Sequence, residues 1–164
     1  MCCVKLEKKS NMNKSPIVKF IKIRPVKTPS RGTPKSVGVD FYIPDDFKAT
    51  QLQPNEDILI PSGIKVCIPE GFCLVAKNKS GVATKLKLDI AACVIDEDYQ
   101  GEIHLHVYNF SKKITQLSAG MKLAQFLLLP AYYCDWQETE NASSLYSGML
   151  SFRGEGGFGS TGAK

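Results

Sequence analysis

Apolar residues along the chain fall into short runs of strand type, separated by prolines and polar turns. The clearest run, Ile64–Ile68, alternates apolar and polar side chains with a period of two. Period-two alternation and runs rich in Val, Ile and Phe are typical of β-strands. The pattern predicts strands over residues 17–23, 57–60, 64–68, 72–76, 103–109 and 123–129. Many short strands at this spacing predict an all-β barrel or sandwich.

Prolines limit the helical content of the first half of the chain. Eight of the nine prolines lie within the first 69 residues. Proline removes a backbone donor and clashes with the preceding helical turn, so a helix of several turns is excluded there. Residues 82–86 alone suggest a brief helical turn.

Charge is distributed unevenly over the 164 residues, which carry a formal charge of +5. Residues 1–35 contain ten Lys or Arg and one acid, so this stretch is +9 and the remainder is −4. A protein that binds nucleic acid stably has its basic footprint on the folded body. We therefore expect no stable nucleic-acid binding, and we interpret residues 1–13 as a disordered and dispensable leader.

Cysteines and apolar segments indicate the compartment. The six cysteines include no C-x-x-C pair, which favours free thiols in a reducing environment. The N-terminus lacks the unbroken apolar core of a signal peptide, and the longest apolar run, residues 126–133, is interrupted by Pro130. The sequence predicts a soluble intracellular protein of the cytoplasm or nucleus, without membrane association.

A glycine-rich segment over residues 153–162 stands near the C-terminus. It satisfies G-x-G-x-x-G, but the chain ends shortly afterwards, so the helix and acidic residue of a dinucleotide-binding fold are missing. Free N–H groups between Arg153 and the hydroxyls of Ser160 and Thr161 can form an anion-binding nest. A disordered tail is the alternative.

Two further segments carry candidate chemistry. Residues 92–102 form an apolar lead into the acids Asp96, Glu97 and Asp98, which predicts a hairpin whose tip presents a general base for water. A merely solvated turn is the alternative. Residues 79–81, Lys-Ser-Gly, offer a cation, a hydroxyl and a flexible N–H for a polyphosphate.

The order of these motifs is more informative than any one of them. Five segments, taken in order, resemble the five ordered motifs of the trimeric dUTPases. They are Gly38-x-Asp40, Lys79-Ser80-Gly81, Val94-Ile95-Asp96-x-x-Tyr99-x-Gly101, Gly120-x-x-x-Ala124-Gln125 and the glycine-rich segment. The resemblance runs from about Lys14 to the C-terminus. It implies a jelly-roll-like β barrel over residues 14–136. It also implies that residues 137–164 are a mobile arm that closes over a neighbouring subunit's site.

The resemblance further implies a homotrimer with three shared sites that hydrolyse dUTP to dUMP and pyrophosphate. Each site would take the hairpin from one subunit, the phosphate loops from a second and the arm from the third. Asp96 would be the general base on the water that attacks the α-phosphorus, and Tyr99 would pack under the deoxyribose. Main-chain groups near uracil would come from Ile90, Cys93, Val94 and Ile95.

The same resemblance assigns the phosphate contacts. The phosphate chain would be bound by Lys79, Ser80, Gly81 and Gln125. Mg²⁺ would be held by the phosphates and waters. Asp40 would support the metal–water shell or the hairpin without binding the metal directly. The arm would contribute Arg153, Phe158 over uracil, and Gly159, Ser160 and Thr161 near the γ-phosphate.

Two residues depart from the family pattern, and rival functions stay open. Lys79 stands where the family usually has Arg, and Cys93 stands where it usually has Gly, which puts affinity and uracil selectivity in question. A trimeric dCTP deaminase and a nucleotide-gated regulatory binding protein are the alternatives. His104 and His106 are expected to be ordinary strand side chains, with a ligand contact by His104 as a second option.

Overall fold

The computed structural model describes residues 15–156 and is built almost entirely of antiparallel strands. All six predicted runs contain a strand, which confirms the all-β class. The strands β1–β11 are Lys19–Lys22, Val39–Tyr42, Thr50–Leu52, Asp57–Pro61, Ile64–Cys67, Phe72–Asn78, Leu88–Ile90, Val94–Ile95, His104–Asn109, Thr115–Leu117 and Lys122–Pro130.

Four small sheets make up the barrel. The largest has the order β2-β11-β6-β8, and a three-stranded sheet has the order β4-β9-β7. Two further pairs, β1-β5 and β10-β3, complete the set. The predicted helical turn is confirmed as a single π-helical turn, Val82–Leu86, between β6 and β7.

Alternation along the strands places one face of each sheet in the core. In β9, Leu105 and Val107 are buried, whereas His104 and His106 point to the other face. Phe41 and Phe126 meet in the centre with ring centroids 4.4 Å apart. Each fully buried aliphatic or aromatic side chain contributes about 1.5–3 kcal/mol to folding, and the four cysteines within residues 15–156 are free thiols.

The hairpin differs from the sequence prediction. The residues that flank the acidic turn do not pair with each other. Instead β7 pairs with β9 in the three-stranded sheet, and β8 pairs with β6 in the four-stranded sheet. The turn therefore belongs to a wide connection between β7 and β9. The pairing partner of a two-residue strand is set by tertiary contacts, which local alternation does not encode.

The chain divides into two compact units, one ending at Tyr132 and the other beginning at Tyr133. The second unit contains one short helix, α1 (Ala142–Leu145), which the sequence did not predict. Its N-terminus is capped by the Asn141 side chain, which accepts a hydrogen bond from the Ser144 amide at 3.0 Å. The domain limits at residues 13 and 136 remain predictions, and the leader over residues 1–13 lies outside the described residues.

No helix within residues 15–156 has the length and apolar content needed to cross a membrane.

Candidate active site

A pocket of about 190 Å³ opens beside the wide β7–β9 connection. It brings together five of the predicted site residues: Cys93, Val94, Ile95, Asp96 and Tyr99. Its other lining residues are Leu59, Ala92, Glu102, Ile103 and His104. The pocket therefore combines apolar walls with main-chain groups and the acidic residues Asp96 and Glu102, a lining typical of a small-molecule site.

The backbone of β8 has one engaged edge. The Cys93 carbonyl accepts a hydrogen bond from the Ala76 amide at 2.6 Å, and Val94 pairs with Val75 across the ladder. Among the described strands, β8 is the outermost member of its sheet, so its second edge has no strand neighbour. Unpaired N–H and C=O groups on such an edge can read the donors and acceptors of a base.

Cys93 adopts an ordinary backbone conformation. Within residues 15–156, the residues other than glycine that have positive φ are Asn55 and Lys87. The strain that a left-handed backbone would impose on a cysteine is therefore absent. Its thiol is free and its side chain is exposed.

Tyr99 is held against the turn that follows it. Its hydroxyl donates a hydrogen bond to the Glu102 carbonyl at 2.9 Å, and its amide donates to the Asp96 carbonyl at 3.2 Å. A Cβ atom on Gly101 would lie 2.2 Å from the tyrosine hydroxyl oxygen, well inside any real contact. Gly101 is thus required for the observed position of the ring.

The three acids of the turn have different environments. The Glu97 carboxylate accepts a hydrogen bond from the Gly71 amide at 2.6 Å, which ties the turn to the loop between β5 and β6. Asp96 lines the pocket, is exposed and makes no side-chain hydrogen bond or ion pair within residues 15–156. An unengaged carboxylate at a pocket is free to accept a proton from water.

A second group of predicted residues is centred on Asp40. Its carboxylate is buried and forms ion pairs with the ammonium groups of Lys79 and Lys122, the latter at 3.1 Å. The hydrogen bond and the charge of Asp40 raise the pKa of Lys122 above its ordinary value. One carboxylate thus holds two cations, and the cluster keeps one positive charge for an anionic ligand.

Gln125 lies next to this cluster on β11. It is paired with Asp40 of β2 on one side and with Lys77 of β6 on the other. Its amide nitrogen donates to the Asn78 carbonyl at 2.8 Å. A Cβ atom on Gly38 would lie 2.1 Å from the Gln125 side-chain oxygen, so the absence of a side chain at Gly38 makes room for the glutamine.

Ser80 and Gly81 follow Lys79 and lead into the π-helical turn. The Lys79 carbonyl accepts from the Ala83 amide at 2.9 Å, and the Ser80 carbonyl accepts from the Thr84 hydroxyl at 2.7 Å. These bonds fix the loop backbone through its carbonyl groups. Both Ser80 and Gly81 are exposed, so the loop presents its hydroxyl and N–H groups at the surface.

The predicted residues form two groups that this chain does not combine in one pocket. The pocket beside the wide β7–β9 connection is called the hairpin pocket from here on. Its lining includes none of Asp40, Lys79, Ser80, Gly81, Ile90 or Gln125. The Ile90 amide is already engaged, because it donates to the Asn78 side-chain oxygen at 2.8 Å. Sequence reasoning assigned no site role to Asn78 and Lys122, because nothing in their local sequence indicates contacts with residues so distant along the chain.

The described part of the arm forms a local turn. The Arg153 Nε donates to the Gly156 carbonyl at 2.7 Å, and the Ser151 hydroxyl oxygen accepts from the amides of Arg153 and Gly154. The guanidinium is thus oriented by its own segment. The predicted contacts of Phe158, Gly159, Ser160 and Thr161 lie outside the described residues.

No three His, Cys, Asp or Glu side chains within residues 15–156 are grouped so that they could hold a metal ion. The Asp40 carboxylate is occupied by two ammonium groups. The donor set therefore fits a cation that arrives with a phosphate ligand and takes its ligands from phosphate oxygens and water, not a cation bound by a protein cage.

Comparison with known proteins agrees with this geometry. The dUTPase family model matches residues 24–162. The deoxyuridine 5'-triphosphate nucleotidohydrolase of Dictyoglomus turgidum is 35% identical over 140 residues, with 82% of this chain and 89% of the relative covered.

Solved structures show the same fold. The dUTPase of Staphylococcus bacteriophage 80alpha with dUpNHpp has a TM-score of 0.75 at 22% identity, covering 90% of this chain and 99% of that one. A dUTPase from phage phi11 of S. aureus, described with a structural Mg(II) ion, has a TM-score of 0.67 at 21% identity, covering 77% and 99%. The jelly-roll-like β fold is confirmed.

Proposed function

The chain belongs to the dUTPase family, and from that membership we propose that the hairpin pocket and the Asp40 cluster are complementary parts of its active site. The chain is a dUTP diphosphatase, which hydrolyses a phosphoanhydride to give dUMP and pyrophosphate. The observation that carries this conclusion is the continuous match over residues 24–162, which includes every residue of both groups. Neither the deaminase nor the regulatory alternative is favoured.

The chemical step is assigned to Asp96. Its free carboxylate takes a proton from a water that attacks the α-phosphorus in line, and pyrophosphate leaves from the opposite side. Tyr99, fixed by Gly101 and the Glu102 carbonyl, packs under the deoxyribose and leaves no room for a 2′-hydroxyl. Positioning and a base suffice, so no covalent intermediate is required.

Base selectivity is assigned to the free edge of β8. Main-chain groups of Val94 and the amide of Cys93 pair with the polar edge of uracil, because the Cys93 carbonyl already accepts from the Ala76 amide, and Ile95 belongs to the same wall. A cytosine would leave these donors and acceptors unpaired, and a 5-methyl group would meet the pocket wall. The Ile90 amide is bound to Asn78, so we propose that its contact with the ligand is through the remaining main-chain groups.

Phosphate binding is assigned to the Asp40 cluster and the loop beside it. Lys79, Ser80, Gly81 and Gln125 contact the phosphate chain, and Asp40 orients the Lys79 ammonium toward it. A bound Mg²⁺ would supply charge neutralisation for the leaving pyrophosphate, and Lys79 and Gln125 would hold the phosphate chain that carries it.

We further propose a homotrimer in which each site uses the hairpin pocket of one subunit and the phosphate loop of a second. Support comes from the separation of the two groups within one chain, because a single protomer presents each half without uniting them. The arm of a third subunit, with Arg153 at its base and Phe158 to Thr161 at its tip, then closes the site.

Pyrophosphate release from a panel of nucleotides tests the function. We expect rapid release from dUTP and slow release from dTTP, dCTP and UTP, with activity lost when Mg²⁺ is removed by a chelator. Ammonia release from dCTP would instead indicate the deaminase. Equal rates on dUTP and dCTP would contradict the assigned role of the β8 edge, and equal rates on dUTP and dTTP would show that the pocket wall leaves room for a 5-methyl group.

Lys79→Met tests the phosphate assignment. A charge-assisted hydrogen bond contributes about 1.5–3 kcal/mol, so we expect KM for dUTP to rise by about 10- to 100-fold in steady-state assays. Lys77→Met is the matched control, because Lys77 is exposed on β6, two residues before Lys79, and the substitution removes the same charge. Equal increases of KM in the two variants would show that the effect comes from the loss of net charge, and would contradict a specific phosphate contact by Lys79.

A further inference from the structure

Asn78 is the last residue of β6, and its polar groups contact three other parts of the barrel. Its side-chain NH₂ donates to the Asp89 carboxylate, and its side-chain oxygen accepts from the Ile90 amide at 2.8 Å. Its main-chain carbonyl accepts from the Gln125 side chain at 2.8 Å. One residue therefore connects β6, β7 and β11.

These contacts join two different sheets. β6 belongs to the four-stranded sheet and β7 to the three-stranded one, and the two strands are not ladder partners. The Asn78 side chain thus supplies hydrogen bonds that no ladder supplies at this point. Because it both donates to Asp89 and accepts from Ile90, its amide is held in one orientation.

Each contact leads directly to part of the site. Asn78 directly precedes Lys79 of the phosphate loop. β7 ends at Ile90, and the chain continues from there to Cys93 at the pocket. Gln125 lies beside Asp40 in the phosphate group. The position of the phosphate loop relative to the pocket within one protomer therefore depends on this residue.

We propose that Asn78 is a positioning residue for dUTP hydrolysis, which fixes the phosphate loop relative to the hairpin pocket by bridging β6 to Asp89 and Ile90 of β7. This inference rests on the proposed assignment of those two regions to the active site. In a trimer with shared sites, each protomer gives its pocket to one site and its loop to the next. A displacement of the phosphate loop relative to the hairpin pocket within each protomer therefore affects all three sites.

The bridge can be broken and rebuilt with its donor and acceptor exchanged. Asn78→Ala removes both hydrogen bonds, and Asn78→Asp places two carboxylates side by side while keeping an acceptor for Ile90. Asp89→Asn leaves Asn78 a neutral acceptor. The double variant Asn78→Asp with Asp89→Asn restores the bridge, because the new amide at position 89 donates to the new carboxylate at position 78.

The five proteins are compared by pyrophosphate release from dUTP, with thermal melting to verify folding. Misplacement of reacting groups by about 1 Å can cost 10²-fold, so we expect kcat/KM to fall about 10- to 100-fold in Asn78→Ala and Asn78→Asp, mostly in kcat. Asp89→Asn should stay close to the wild type, and the double variant should recover most of the loss.

Two further readouts separate positioning from general stability. Relative to the wild type, the activity of Asn78→Asp should rise as pH falls, because protonation of one carboxylate restores a donor. Amide hydrogen exchange at Ile90 should accelerate in Asn78→Ala and return to the wild-type rate in the double variant. A uniform loss of stability would accelerate exchange at all core amides alike, so acceleration at Ile90 beyond that at a core amide such as Val107 marks the local loss of the bridge.

Wild-type kcat/KM in folded Asn78→Ala and Asn78→Asp would overturn the inference, as would a folded double variant no more active than Asn78→Asp. If Asn78→Ala fails to fold, the comparison of Asn78→Asp with the double variant decides. A wild-type protein that does not hydrolyse dUTP would overturn the proposed function itself, which distinguishes the two failures.

Discussion

Asp96→Asn is expected to bind dUTP with unchanged affinity and to lose about 10²–10⁴-fold in kcat, the usual contribution of a positioned general base. Asparagine has nearly the same shape as aspartate but cannot accept the proton of the attacking water. The Asp96 side chain has no other partner within residues 15–156, so its replacement leaves the pocket intact. Single-turnover kinetics and a binding titration with a non-hydrolysable analogue separate the two quantities.

Asp98→Asn is the matched control for this measurement. Asp98 lies two residues further along the same turn, is exposed and does not line the pocket. It should retain wild-type kcat. An unchanged kcat in Asp96→Asn, or equal losses in the two variants, would contradict the assigned role of Asp96.

Removal of residues 153–164 is expected to abolish turnover while leaving a folded trimer. The described part of this segment belongs to the unit that begins at Tyr133, whereas the last strand of the barrel, β11, ends at Pro130. Loss of the arm removes Arg153 and the predicted Phe158 to Thr161 contacts, and leaves the bound triphosphate open to water. Sedimentation and melting temperature report the fold, and pyrophosphate release reports the activity.

Deletion of residues 1–13 is the corresponding control at the other end of the chain. This basic leader is predicted to be dispensable, so turnover should persist. An unfolded product of the C-terminal deletion would mean that the arm is structural, and full turnover without it would mean that the site needs no closure.

The longer strands were predictable because their patterns are local. Ile64–Ile68 alternates with period two, and the run over residues 103–109 does so with His104 and His106 outward. The strands β2, β3, β7 and β10 were missed, because three or four residues carry too little pattern to distinguish a strand from a turn. The single turn of α1 escaped prediction for the same reason.

The candidate site was predictable only in part, and the reason is distance along the chain. The acids of one turn are neighbours in the sequence, so the segment that contains Asp96 and Tyr99 was identified from the sequence directly. The partners of Asp40, by contrast, are Lys79 and Lys122 on other strands. The bridge from Asn78 to Asp89 also joins residues whose neighbours in sequence give no sign of it.

The short edge strand β8 also bears on how the protein avoids uncontrolled extension of its sheet by another chain. An unpaired strand edge invites another chain to extend the sheet, which is a common route to aggregation. Here the edge is only two residues long, and the three acids that follow it repel a second copy of the same segment. The pocket edge is therefore accessible to a planar base but a poor template for an added strand.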